Sequence, residues 1–182
     1  MVFINVDGLC EPNPGGVATF GMVAVSAASG KVLAEKSGVA AEGESATNNV
    51  AEYRALDAAL TWCMKNVAHL VSHNKRIEIR TDSQLVVSQV NGLWKCKLDD
   101  LLPLRDAAQS KMKLLDAAKV FVNLTWVPRE QNEVADELSR QAFKNYTGRD
   151  VPERQPRQPT PGLSGSERFR PQVQKLERPL KA

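Results

Sequence analysis

The chain has 182 residues, 24 Lys+Arg against 21 Asp+Glu, a formal net charge of +3 and 42% apolar residues. Residues 151–182 carry seven Lys/Arg, three Glu and six of the ten prolines, which leaves 17 basic and 18 acidic side chains, a net −1, on residues 1–150. No apolar run reaches the roughly 18 residues a membrane span needs, and three widely spaced cysteines (Cys10, Cys63, Cys96) fit neither a disulfide framework nor a zinc pattern.

What remains is a nearly neutral globular body with a basic, Pro-rich extension. A body of this size suits one domain and buries roughly 68–70% of its unfolded surface. The N-terminal MVFINVDG has no basic region followed by a long apolar stretch, so no secretory signal is expected. With the odd cysteine count, this points to a reducing compartment, the cytoplasm; nothing in the sequence suggests an obligate dimer, so a monomer is expected.

In chain order, Val2-Phe3-Ile4-Asn5-Val6-Asp7 is a β-rich run expected to end at Gly8. Asn13-Pro14-Gly15-Gly16 is turn chemistry, with Pro setting φ at one position and Gly supplying positive φ at the next. Val17 to Val25 reads as a second strand. Ser29-Gly30 reads as a turn and Lys31 to Val39 as a third strand. The short connections predict an antiparallel meander.

The period then changes from 2 to 3.6. Leu56, Ala59/Leu60, Cys63 and Val67 form one face of a helix from Asn48 to about Val67, with Thr47 or Asn48 as its N-cap. Arg76 to Thr81 is a fourth strand, and Ser83 to Asn91 a short helix stopped by Gly92. A longer helix follows from about Pro103 to Ala118. Val120 to Val127 is a fifth strand, and Glu133 to Asn145 a last helix closed by Gly148. Three antiparallel strands followed by alternating helices and strands predict an α/β fold with a mixed five-stranded sheet and helices packed on it. The catalytic domain is expected over residues 1–148. The composition of residues 149–182 is too poor in apolar side chains to repay ordering, so a disordered basic tail is expected there.

Four carboxylates fall where ligand sites gather in such sheets, at the carboxyl ends of strands and the starts of helices. Asp7 and Asp82 end the first and fourth strands, Glu52 lies one turn before core-facing Leu56, and Asp136 opens the last helix. Carboxylates brought together repel unless a cation neutralises them. Oxygen ligands without His or Cys suit Mg2+, with Mn2+ as the alternative. Two such ions would support in-line hydrolysis of a phosphodiester. Each residue also has a plainer reading: Asp82 as a helix cap, Asp136 as a complement to the helix dipole, Glu52 as a solvated side chain.

Taken together, Asp7-Gly8, Asn13-Pro14-Gly15-Gly16, Thr47-Asn48-Asn49-Val50-Ala51-Glu52, Thr81-Asp82-Ser83-Gln84 and Asn132-Glu133-Val134-Ala135-Asp136 resemble type 1 ribonuclease H in order and spacing, over residues 1 to about 145. The resemblance implies a ribonuclease H-like fold and a two-metal endonuclease that cuts the RNA strand of RNA–DNA hybrids. Asp7, Glu52, Asp82 and Asp136 would be its metal ligands, and Asn13, Asn48, Asn49 and Gln84 its minor-groove contacts. Short amides both donate to and accept from 2′-hydroxyls, although Asn48 and Asn49 also suit helix capping. Asn132, one turn before Asp136, would orient the active-site loop beside the substrate.

Two features depart from the commoner family pattern. The loop Trp126-Val127-Pro128-Arg129-Glu130-Gln131-Asn132 has no His, so Arg129 would take that place. With a pKa above ~12 it binds phosphate but shuttles no protons, which leaves open cleavage of double-stranded RNA. The stretch Asn91-Gly92-Leu93-Trp94-Lys95-Cys96-Lys97 is short, like the branch lacking a basic protrusion. There Trp94 would line a DNA-strand channel or pack in the core, and Lys95 and Lys97 would meet phosphates. A non-cleaving nucleic-acid-binding module on the same fold is the rival reading.

Overall fold

The computed structural model describes residues 1–73 and 76–152, and residues Met1–Val151 form one compact unit. Of the tail expected over residues 149–182, residues 153–182 lie outside the described residues.

Five strands, β1 (Val2–Glu11), β2 (Val17–Ser26), β3 (Val32–Glu42), β4 (Ile77–Thr81) and β5 (Val122–Trp126), form one sheet in the order β3-β2-β1-β4-β5. The first three are an antiparallel meander, and β4 and β5 add in parallel, so the sheet is mixed as expected. The helices are α1 (Asn48–Lys65), α2 (Val67–Ser72), α3 (Gln84–Val90), α4 (Leu102–Ala117) and α5 (Glu133–Thr147). Gly148 ends α5 in the left-handed conformation, φ 70°, that an L side chain resists.

The alternation of apolar residues decides the layers. Ile4, Val6, Met22, Ala24, Ile77, Ile79 and Leu124 enter one core with Leu56, Ala59, Leu60 and Cys63 of α1. α4 packs across α1, and α5 contacts β1, β2 and β3. Thr47 is the N-cap of α1, its hydroxyl accepting from Val50 N at 3.1 Å.

Several boundaries differ from the sequence reading: β3 runs to Glu42 and not Val39, β5 covers only Val122–Trp126, and α5 runs to Thr147. β1 does not stop at Gly8 but runs on to Glu11, paired with β2 throughout. Gly8 is a point of close approach: a Cβ there would lie 2.2 Å from the backbone N of Glu52. Glycine inside a strand marks such approaches as well as strand ends. The helix expected from Asn48 to Val67 ends at Lys65, and Val67 begins the separate short α2.

Candidate active site

The parallel ladder between β1 and β4 runs from Val2↔Ile77 to Asn5↔Arg80. The same offset continued by two residues sets Asp7, which lies within β1 and not at its end as expected, beside Asp82, just past the carboxyl end of β4. Across β1 on the other side, α1 presses on Gly8 and brings Glu52 in from its second turn. Carboxylate oxygens of Asp7, Glu52 and Asp82 lie within 4.8 Å of one another. Asp7 is buried, 5% exposed, while Glu52 and Asp82 are partly exposed, so the cluster opens to solvent on one side.

The cap of α3 is Ser83, whose hydroxyl accepts from Val86 N at 3.4 Å, so Asp82 does not serve as the cap. Glu52 points at the other two acids, and the Thr81 hydroxyl donates to its Oε2 at 3.3 Å while accepting from Ser83 N at 3.0 Å. The donor set is all carboxylate oxygen, which fits a hard divalent cation of the Mg2+ or Mn2+ kind.

Asp136 is not in this trio. Its carboxylate is paired with Arg129 and, at 2.9 Å, with Nε of Arg140 one turn along α5. Arg129 thus stands in the loop before α5 with its guanidinium on Asp136.

Asn132 is 1% exposed, and its amide is engaged at both ends. Its Nδ2 donates to Val6 O at 2.9 Å and to Asp82 Oδ1 at 3.4 Å, and its Oδ1 accepts from Asn5 Nδ2 at 3.0 Å. It ties β1, Asp82 and the start of α5 together. The indole of Trp126 adds a donor to Asp82 O at 3.1 Å.

The residues expected to contact substrate lie in the turn after β1, at the starts of α1 and α3 and in the segment between α3 and α4. Asn13 is exposed in the turn after β1, and its Oδ1 accepts from Asn48 N at 3.0 Å. Asn48 Oδ1 in turn accepts from Cys10 N at 2.7 Å, so the two amides knit the turn to the start of α1. Asn49 is half-buried on α1, and Gln84 is exposed at the start of α3. Trp94 is 47% exposed, so it is no core side chain, and Lys95 and Lys97 are exposed beside it.

Sequence reasoning missed four contributors: Asn5, Thr81, Ser139 and Arg140. Ser139 follows Asp136 by three residues and so shares its helix face, the one available signal. Arg140, four residues after Asp136, shares that face as well, whereas Asn5 and Thr81 depend on contacts between segments far apart in sequence.

A family model described as reverse transcriptase-like matches residues 5–142. The chain is 40% identical over 142 residues to the bifunctional protein Rv2228c of Mycobacterium tuberculosis, covering 78% of this chain and 35% of that protein. It is 38% identical over 141 residues to ribonuclease HI of Halobacterium salinarum, covering 75% and 61% respectively. It thus spans about a third and three-fifths of these two relatives' lengths. Among solved structures, the N-terminal RNase H domain of Rv2228c superposes with a TM-score of 0.67 at 37% identity, over 81% of this chain and 96% of that one. LC11-RNase H1, solved in complex with an RNA/DNA hybrid, gives 0.65 at 32% identity over 80% and 99%.

The fold and the acidic cluster therefore define a ribonuclease H-like protein. The chain belongs to the reverse transcriptase-like family, in its ribonuclease H type 1 branch.

Proposed function

We propose that the chain is a divalent-metal-dependent endonuclease that hydrolyses the RNA strand of RNA–DNA hybrids. The observation that carries this is the meeting of Asp7 of β1, Glu52 of α1 and Asp82, just past β4, within 4.8 Å. Cations held there, Mg2+ or Mn2+, would supply Lewis acidity and charge neutralisation for in-line phosphodiester hydrolysis. Asp7, Glu52 and Asp82 would hold the cation, and Asp136, which is paired with Arg129 and Arg140, would add a fourth carboxylate from α5.

The remaining residues position the duplex. Asn13, Asn48, Asn49 and Gln84 face the minor groove, where amides match 2′-hydroxyls. Trp94 takes the sugar–base edge of the DNA strand, with Lys95 and Lys97 on its phosphates. Arg129 binds a backbone phosphate and offers charge, but no proton, in the place a His would occupy. We place it in a reducing compartment, the cytoplasm, in keeping with free thiols at Cys10, Cys63 and Cys96, and expect a monomer.

The test is a side-by-side digestion of end-labelled RNA in an RNA–DNA hybrid and in an RNA–RNA duplex, with Mg2+, Mn2+ or EDTA. Hybrid cleavage that needs the metal is expected. Cleavage of both duplexes would extend the specificity in the direction the absent loop His allows. A gel shift of hybrid with no product at any Mn2+ concentration would replace this reading with the non-cleaving module.

A further inference from the structure

Ser139 lies on the inner face of α5, 0% exposed, with its hydroxyl 2.6 Å from Asp7 Oδ2. The approach is made possible by the strand opposite. Asp7 pairs with Gly21 of β2, and a Cβ on Gly21 would lie 2.3 Å from Ala135 O and 2.7 Å from Ser139 N. With hydrogen there, the backbone of α5 settles onto the sheet beside Asp7. A second buried bond, Thr19 Oγ1 donating to Ser139 O at 2.8 Å, holds the helix at that depth.

A serine hydroxyl inside a helix commonly turns back to a carbonyl of the preceding turn. That acceptor is present here, Asp136 O at 2.8 Å, but the hydroxyl has one proton to give. The contact to Asp7 is the shorter, and 2.6 Å is the usual length of an O–H···O− bond to a carboxylate, which is roughly twice as strong as a neutral one. The proton therefore goes to Asp7. The side chain of Asp7, buried on the α5 side of the sheet, is held in one rotamer by a donor that itself cannot move.

We propose that Ser139 is a positioning residue for the metal site: its hydroxyl fixes the carboxylate of Asp7 so that the Asp7–Glu52–Asp82 cluster is preset for a divalent cation. The inference rests on the metal-site reading above and adds to it a specific outer partner. Partners of this kind orient metal ligands, and their loss typically costs about 10–100-fold in metal affinity.

The experiment is calorimetric titration of the full chain with Mn2+, with no nucleic acid present, alongside thermal unfolding in EDTA. Ser139→Ala removes the donor but keeps a small, helix-favouring side chain. Its Mn2+ dissociation constant should rise by about 10–100-fold while its melting temperature in EDTA stays within a few degrees of wild type. Ser139→Thr, which restores a hydroxyl, should recover most of the affinity. Wild-type Mn2+ affinity in Ser139→Ala would overturn the proposal, and so would an affinity loss in Ser139→Ala that Ser139→Thr fails to reduce. Asp7→Asn separates the two levels: if it binds Mn2+ like wild type, the metal-site reading itself falls.

Discussion

The backbone nitrogen of Glu52 lies 2.2 Å from where a Cβ on Gly8 would stand, so α1 reaches the acidic cluster only because residue 8 has no side chain. The neighbouring contacts, Ala51 C at 2.4 Å and Glu52 Cα at 2.7 Å, are also backbone and cannot swing aside. Gly8→Ala must therefore push α1 off β1. Overpacking of this kind costs roughly 1–3 kcal/mol or more. Urea unfolding should show that loss, and Mn2+ titration should show weaker binding, because Glu52 moves with the helix.

Tyr53, 1% exposed on α1, donates its hydroxyl to Gln89 Oε1 of α3 at 2.8 Å. Burial is the main cause that lifts its phenol well above the usual range. Tyr53→Phe leaves the Gln89 acceptor without that donor, a cost of about 1–3 kcal/mol in denaturant unfolding. In the folded protein the phenol should remain un-ionised on ultraviolet titration past pH 10. A raised phenol pKa favours the folded state below pH 10, and that contribution fades as pH rises further.

Burial also pushes the Cys63 thiol up to about 12, and burial raises Cys10 from its ordinary value. Both thiols are therefore neutral at pH 8, whereas thiolate is the reactive form. Titration with a thiol reagent at pH 8 should count one fast group in the native protein, partly exposed Cys96, and three after denaturation.

Lys95 and Lys97 are exposed in the segment between α3 and α4. As phosphate contacts, each should contribute about 0.9 to the slope of log affinity against log salt. The double variant Lys95→Ala/Lys97→Ala should thus flatten that slope by roughly two in hybrid-binding titrations, with folding stability unchanged. An unaltered slope would move the DNA-strand path elsewhere.

Much of this arrangement is written locally. The meander, the core face of α1 and its Thr47 cap follow from periodicity and turn residues. Asp82 stands out at a strand end and Glu52 on the inward side of a helix, and Asp7 stands out only because Gly8 reads as the end of a strand that in fact runs on to Glu11. What local sequence hides is whatever depends on a distant strand or helix. Gly8 reads as a stop until α1 is seen lying on it. Asn132 reads as a polar loop residue until it is found buried between Val6 and Asp82. Asp136 groups with the other acids by motif, but its nearest partners are Arg129 and Arg140, one of which comes from the loop before α5. Ser139 shows only its spacing from Asp136; that it meets Asp7 depends on Gly21, more than a hundred residues earlier.

The most direct test of the metal-site account is the rate of hybrid cleavage by Asp7→Asn and Asp82→Asn in saturating Mg2+ and again in Mn2+. Both substitutions keep the shape of the side chain and the Asn132 brace while removing one negative charge from the cluster. The account predicts a fold that melts near the wild-type temperature and cleavage reduced by at least two orders of magnitude in either metal. Wild-type cleavage by either variant would contradict it.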